Sequence, residues 1–281
     1  MKSVTPWIVI VALTLFGFAC SKQKVSPQVE KKSQVTSDAR SGDAASPSRQ
    51  KSASQEAEVP SKVAGAPMHD PNHPPIDCPL RKQGLNPDHM RPFEDVEKYI
   101  AFLERPDRAL WQKPDDVVAA LKLDGSETVY DLGAGSGYFS FRFAKVLPLG
   151  RVIAADTQGE MVRHIHHKAM TEGITNVEAK LIQPDNPDVS PDTDVVFICD
   201  VLHHVPNRQE WLGKVEARLK PNARLVLIEF KEGELPQGPP ASVKIPRAQL
   251  VELAQGAGFE LETESDTLLP YQTYMVFRKP K

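Results

Sequence analysis

The stretch Val129–Ser140, VYDLGAGSGYFS, sets three glycines at alternate positions, Gly133, Gly135 and Gly137, directly after a short apolar run that ends in an acid, Asp131. The run reads as a buried strand. The spacing of Phe139, Phe143, Val146 and Leu147 after it reads as a helix. The stretch is therefore a strand-to-helix turn that lacks side chains at three positions. Glycine allows the backbone angles of a tight turn and lets main chain approach a ligand closely. A second apolar run, Arg151–Asp156, ends in another acid 19 residues past Gly137. In a doubly wound sheet, ligands bind beyond the carboxyl ends of the strands at such a turn. A carboxylate at Asp156 can accept both hydroxyls of a ribose, so loop and acid together make a nucleoside site.

Outward from that turn the chain alternates strand and helix. Strands are expected at Thr128–Asp131, Arg151–Asp156, Val177–Leu181, Asp194–Asp200, Arg224–Phe230, Phe259–Thr263 and Tyr274–Arg278, with a helix over Arg247–Ala257. Most are nearly continuous apolar runs, as in strands buried on both faces. Alternation of this kind predicts an α/β fold with a mostly parallel sheet covered on both sides by helices. Before it, helical periodicity runs over Phe93–Leu123, with Val96, Tyr99, Ile100 and Leu103 on one face, and Pro114, Asp115 and Asp116 open a further helix.

The loop D-L-G-A-G-S-G differs from the G-x-G-x-x-G of nicotinamide sites, where a helix N-terminus receives a pyrophosphate. It resembles motif I of the class I S-adenosylmethionine-dependent methyltransferases, and the resemblance extends over roughly residues 93–279, including DTDVVFICDVLHHVPN at a fourth strand. It implies a Rossmann-like, seven-stranded sheet of order 3-2-1-4-5-7-6 whose last strand is antiparallel. It implies S-adenosylmethionine as cofactor, held by Asp131, Gly133, Gly135, Gly137, Asp156 and Asp200, with Asp185 or Gln183 at the adenine. YIAFLERPDRALWQKPDDVVAAL, FKEGELPQGPP and LPYQTYMVF resemble a bacterial subfamily of exported or envelope methyltransferases.

His203 and His204 sit where an acceptor would arrive, and an imidazole there suits a general base; packing is the competing reading. Tyr138 faces a sulfonium or simply packs. Glu229 and Lys231 end the fifth strand at the same rim, as acceptor contacts or exposed charges. His164, His166 and His167 read as one solvated helix face. Nothing in the sequence reads an aromatic acceptor. A non-catalytic nucleoside-binding module is the alternative function, and a nicotinamide oxidoreductase is disfavoured by the loop.

The chain has 281 residues and a net charge of -3, with no basic stripe, which argues against nucleic acid. Residues 1–20 read as a signal peptide: Lys2, an apolar run over 4–19, then Ala19 before Cys20. Cys20 resembles the acylated cysteine of bacterial lipoproteins, although Gly17 stands where that pattern usually has Leu. A plain signal peptide or an uncleaved anchor stand beside it. Residues 21–66 lack the apolar content to fold and read as a disordered tether. Residues 67–123 are a Pro-rich lead-in with N-terminal helices, and 124–281 form the cofactor domain. His69, His73, Cys78 and His89 match no zinc spacing, so no metal is expected. Cys78 reads as the one accessible thiol. The expected location is the cell envelope, lipid-anchored and facing the periplasm, or alternatively anchored in the inner membrane with the domain in the cytoplasm.

Overall fold

Val195–Cys199 (VVFIC) carries no charge and no polar branch, and the computed structural model places it at the middle of a seven-stranded sheet. The structure describes residues 70, 78–86, 90–91 and 93–281. In chain order the strands are β1 (Thr128–Leu132), β2 (Arg151–Asp156), β3 (Val177–Leu181), β4 (Val195–Cys199), β5 (Arg224–Phe230), β6 (Glu260–Ser265) and β7 (Gln272–Arg278). They lie in the order β3-β2-β1-β4-β5-β7-β6, and β7 runs antiparallel to both neighbours. Each expected strand is present, shifted at its ends by at most a few residues. Reversal of the chain after β3 makes β1 and β4 the topological switch point, the place where such sheets leave a crevice.

The helices are α1 (Pro79–Lys82), α2 (Phe93–Leu103), α3 (Arg108–Gln112), α4 (Pro114–Ala120), α5 (Ser140–Val146), α6 (Gly159–Glu172), α7 (Arg208–Arg218) and α8 (Arg247–Gly256). Strand alternation sorts the core into two layers. Val129, Val152, Val195, Phe197, Val226 and Ile228 pack with Val117, Phe139 and Phe143 from α4 and the α5 turn. Tyr130, Ile153, Val196, Ile198, Leu225 and Leu227 pack with Trp211, Leu212, Leu250 and Ala254 of α7 and α8. β3 and β6 are edge strands and only partly buried.

Three expectations need correction. Cys78 is buried, not accessible, because α1 tucks it against α6, with Sγ 3.7 Å from His166 Nε2. His164, His166 and His167 are half-buried rather than solvated, since the segment leading into the sheet covers that face of α6. Burial lowers the His164 imidazole to about 4. Tyr99 lies outside the buried stripe of α2: Val96 and Ile100 are buried at a four-residue spacing, whereas Tyr99 stays exposed and stacks on Phe102. His69, His73, His89, the signal segment with Cys20 and the tether lie outside the described residues. Among the described residues no helix is long and apolar enough to cross a membrane.

Candidate active site

The three glycines all have left-handed φ, but they face different things. A Cβ on Gly133 would lie 2.3 Å from Val201 Cγ2, and one on Gly137 would lie 2.7 Å from Phe141 Cε2. These two let the loop pack against its neighbours. At Gly135 the nearest atom to such a Cβ is Leu103 Cδ1, at 3.6 Å. Gly135 is the one of the three where a Cβ would meet only ordinary van der Waals contact. Its N–H donates to Asp156 Oδ2 at 2.8 Å, and the Gln158 N–H donates to Asp156 Oδ1 at 2.8 Å. Asp156 is buried, which raises its pKa, opposed by those backbone donors. Asp131, also buried, accepts from Ser140 Oγ at 2.5 Å, and burial lifts its carboxyl to about 7.

At the end of β4 the site is made of polar side chains from distant segments. Asp200 adopts a left-handed φ of 59°, a sparsely populated conformation for a residue with a side chain. Both of its carboxylate oxygens are taken: Gln112 Nε2 donates to Oδ2 at 3.0 Å and Gln272 Nε2 donates to Oδ1 at 2.6 Å. Gln112 Nε2 also lies 3.2 Å from Gln272 Oε1. Burial first, and then the negative charge of Glu229, raise Asp200 to about 7. His203 follows in a short 3-10 turn, Leu202–His204, with Nδ1 2.7 Å from Glu229 Oε2. Burial alone would lower the His203 imidazole; the hydrogen bond and charge of Glu229 outweigh it and raise the pKa. His204 is exposed, its ring centroid 4.1 Å from that of His203, and burial and that neighbour lower its pKa.

The structure corrects the reading of Glu229 and Lys231 as exposed charges. Glu229 is 2 % exposed, and Lys231 Nζ is committed to the carbonyls of Asp266, Leu269 and Pro270. Asp185 and Gln183 are both exposed beyond β3, where the Asp185 carbonyl accepts from Lys214. Tyr138 is buried, with the Arg108 and Arg142 guanidinium carbons 4.1 and 4.0 Å from its ring centre.

Sequence reasoning missed Arg108, Gln112 and Gln272. Arg108 comes from α3, hydrogen-bonds Gln112 Oε1 and the Leu103 carbonyl, and its charge acts on Asp131 and Asp200. It supplies a cation above a site otherwise ringed by acids. Gln112 is fully buried on an otherwise ordinary amphipathic turn, and Gln272 heads a strand of apolar residues. A lone amide inside an apolar pattern was the only available sign.

Residues 130–225 match a family model described as a methyltransferase domain. Over this stretch the chain is similar to methyltransferase domains. It is 35 % identical over 125 residues to the ubiquinone/menaquinone biosynthesis C-methyltransferase UbiE of Hydrogenovibrio crunogenus, covering 40 % of this chain and 47 % of that protein. It is 29 % identical over 136 residues to a trans-aconitate 2-methyltransferase of Rhodopseudomonas palustris, covering 47 % and 48 %. The chain thus spans about half the length of the curated relatives it matches. Among solved structures, a SAM-dependent methyltransferase from Aquifex aeolicus superposes with a TM-score of 0.60 at 23 % identity, covering 67 % of this chain and 99 % of that one. The [4+2]-cyclase SpnF shares the fold at a TM-score of 0.52 and 18 % identity, covering 60 % and 80 %, so the architecture by itself leaves the chemistry open.

The residues present fit S-adenosylmethionine as a cofactor. Gly135 presents backbone without a Cβ, Asp156 holds a buried carboxylate beside it, and the methionine end of the cleft offers acids together with one arginine. No pyrophosphate-binding arrangement is required.

Proposed function

We propose that the protein transfers a methyl group from S-adenosylmethionine to a small-molecule acceptor, with His203 receiving the acceptor's proton. The observation that carries this reading is the His203–Glu229 pair at the same sheet edge as the Asp156-braced glycine loop. When bound, the cofactor supplies a methyl group on a cationic sulfur, to which the C–S bonding pair returns as the acceptor's lone pair takes the methyl.

In this reading Asp156 accepts the ribose hydroxyls, Gly133, Gly135 and Gly137 line the cofactor with backbone, and Asp185 or Gln183 meets the adenine. Asp131 and Asp200 face the positive charge at the methionine end. Glu229 accepts Nδ1–H of His203, which fixes the tautomer and leaves Nε2 as the proton acceptor; a raised imidazole pKa brings the base close to working pH. His204, exposed and lowered, acts as a neighbour that shields His203. The relatives, a ubiquinone/menaquinone biosynthesis C-methyltransferase and a trans-aconitate 2-methyltransferase, support an acceptor of small-molecule size.

The N-terminal segment supports an envelope location, with lipid on Cys20 tethering the domain. Cys20→Ala should then abolish lipid labelling and release the protein from membranes. Activity is tested by calorimetry with S-adenosylmethionine and with NAD, followed by methyl consumption in the presence of envelope extracts. Tight binding of the first and not the second, with methyl turnover that falls about 10²-fold or more in His203→Ala, is the expected result. Binding without any turnover would favour the non-catalytic module.

A further inference from the structure

The cap helices α2 and α3 and the ends of β5 and β7 share a group of aromatic side chains that the roles above do not use. The Trp111 ring centre lies 5.6 Å from that of Phe230 and 6.3 Å from that of Tyr271. The Arg105 guanidinium carbon sits 4.7 Å from the Phe102 ring centre and 5.7 Å from that of Trp111, so a flat cation spans the gap between two rings. Arg105 Nη2 donates to Gln237 Oε1 at 2.8 Å. The adjoining Gly238 lies flat on Phe230, where a Cβ would come within 2.5 Å of the ring.

Two features are costly unless something else uses them. Phe102 is 58 % exposed, a large ring left in water. Trp111 is 8 % exposed, yet its indole N–H has no acceptor among the described residues, and a buried donor without a partner costs free energy. The position of the shelf is also telling. Strands β5 and β7 pair Phe230 with Gln272, so the aromatic group borders the amide network on Asp200.

We propose that this shelf is the acceptor site and that the acceptor is a planar aromatic or quinonoid ring bearing an ionised oxygen. The inference rests on the methyltransferase reading and adds the acceptor class. The ring stacks on Phe102 and Trp111 in the plane that the Arg105 guanidinium now occupies. The ionised oxygen pairs with Arg105, whose contact with the half-exposed Asp107 is a surface pair easily given up. As Arg105 shifts, the Trp111 N–H gains an oxygen acceptor. A saturated acid of equal charge satisfies Arg105 but not the rings.

The test is calorimetric titration of the full chain, saturated with S-adenosylhomocysteine, with 2-hydroxy-1,4-naphthoquinone as a planar anion and cyclohexanecarboxylate as a saturated one. The planar anion should bind at least about tenfold more tightly. Phe102→Ala and Arg105→Gln should each weaken it about tenfold or more, and Trp111→Phe, which keeps a ring and removes the N–H, should weaken it severalfold. Phe102 is exposed, so its variant folds even where a Trp111 variant does not. Equal binding of the two anions, or wild-type binding in both Phe102→Ala and Arg105→Gln, would overturn the proposal. If S-adenosylhomocysteine itself fails to bind while the planar anion still binds in a Phe102- and Arg105-dependent way, the cofactor reading falls and the shelf stands.

Discussion

On the glycine-loop side of the cleft, the contacts that shape the site are short in sequence: Gly135 reaches Asp156 across 21 positions, and Ser140 reaches Asp131 across 9. On the β4 side, Gln112 reaches Asp200 across 88 positions and Gln272 across 160, and His203 reaches Glu229 across 26. The first half is one β-α-β unit whose backbone makes the binding surface. The second is a meeting of side chains from four separate segments. Backbone surfaces tolerate many sequences provided glycine and an acid keep their places, whereas the side-chain meeting depends on each residue. In the proposed reading the local half carries the ribose contact, and the assembled half carries acceptor choice and proton transfer, with Asp200 adding to the methionine end of the cofactor.

Single substitutions can break that division. The largest effect is expected from His203→Ala, which should lower turnover about 10²-fold or more while calorimetry shows unchanged S-adenosylmethionine affinity. A parallel loss of affinity would mean that the two halves are not separable. Asp156→Ala should do the converse, weakening cofactor binding by about 1.5 to 3 kcal/mol through loss of a charged acceptor. Unchanged affinity in this variant would remove the ribose role.

Stability separates the glycines themselves. Gly133→Ala combines left-handed backbone with a collision against Val201 and should cost about 2 to 4 kcal/mol in denaturant unfolding. Gly135→Ala has the same kind of backbone but no collision and should cost about 1 to 2 kcal/mol, with its larger effect on cofactor affinity. If the two unfold alike, the contrast between packing and ligand-facing glycines is wrong.

The smallest effect is one of pH. Asp200 titrates at about 7 in the folded chain against 3.8 ordinarily, so between those values the folded state keeps a proton that the unfolded state has released. Stability from this group therefore falls as pH rises from about 4 towards 7 and levels off above. Asp131 acts in the same direction. Asp200→Asn should flatten the decline in Tm between pH 5 and pH 8 relative to the wild type. A parallel pair of curves would show that Asp200 is already ionised in the fold.

Much of this was legible in advance because it is periodic or contiguous. Val195–Cys199, and Leu225–Ile228 within β5, are apolar throughout because both faces are covered, and that pattern announces itself. The strand order and the antiparallel β7 followed from the resemblance carried by the glycine loop and agree with the observed sheet. Lys231 was misread because its position at a strand end predicts exposure, whereas three loop carbonyls converge on its ammonium. Cys78 was misread because a Pro-rich flank resembles surface chain, yet a four-residue helix turns its thiol inward.

By itself, the sequence determined the α/β class, the strand-loop-helix turn with its three glycines, and Asp156 at the end of the next strand, because each depends on neighbours within a few turns of chain and on apolar periodicity. Tertiary structure alone decided that α2 and α3 lie over the site, that Gln112 and Gln272 grip Asp200, and that Arg105 lies between Phe102 and Trp111. Those contacts join positions whose separation carries no period. They arise only after the sheet has closed and its two core layers have fixed where each strand ends, so no local pattern of residue types can encode them.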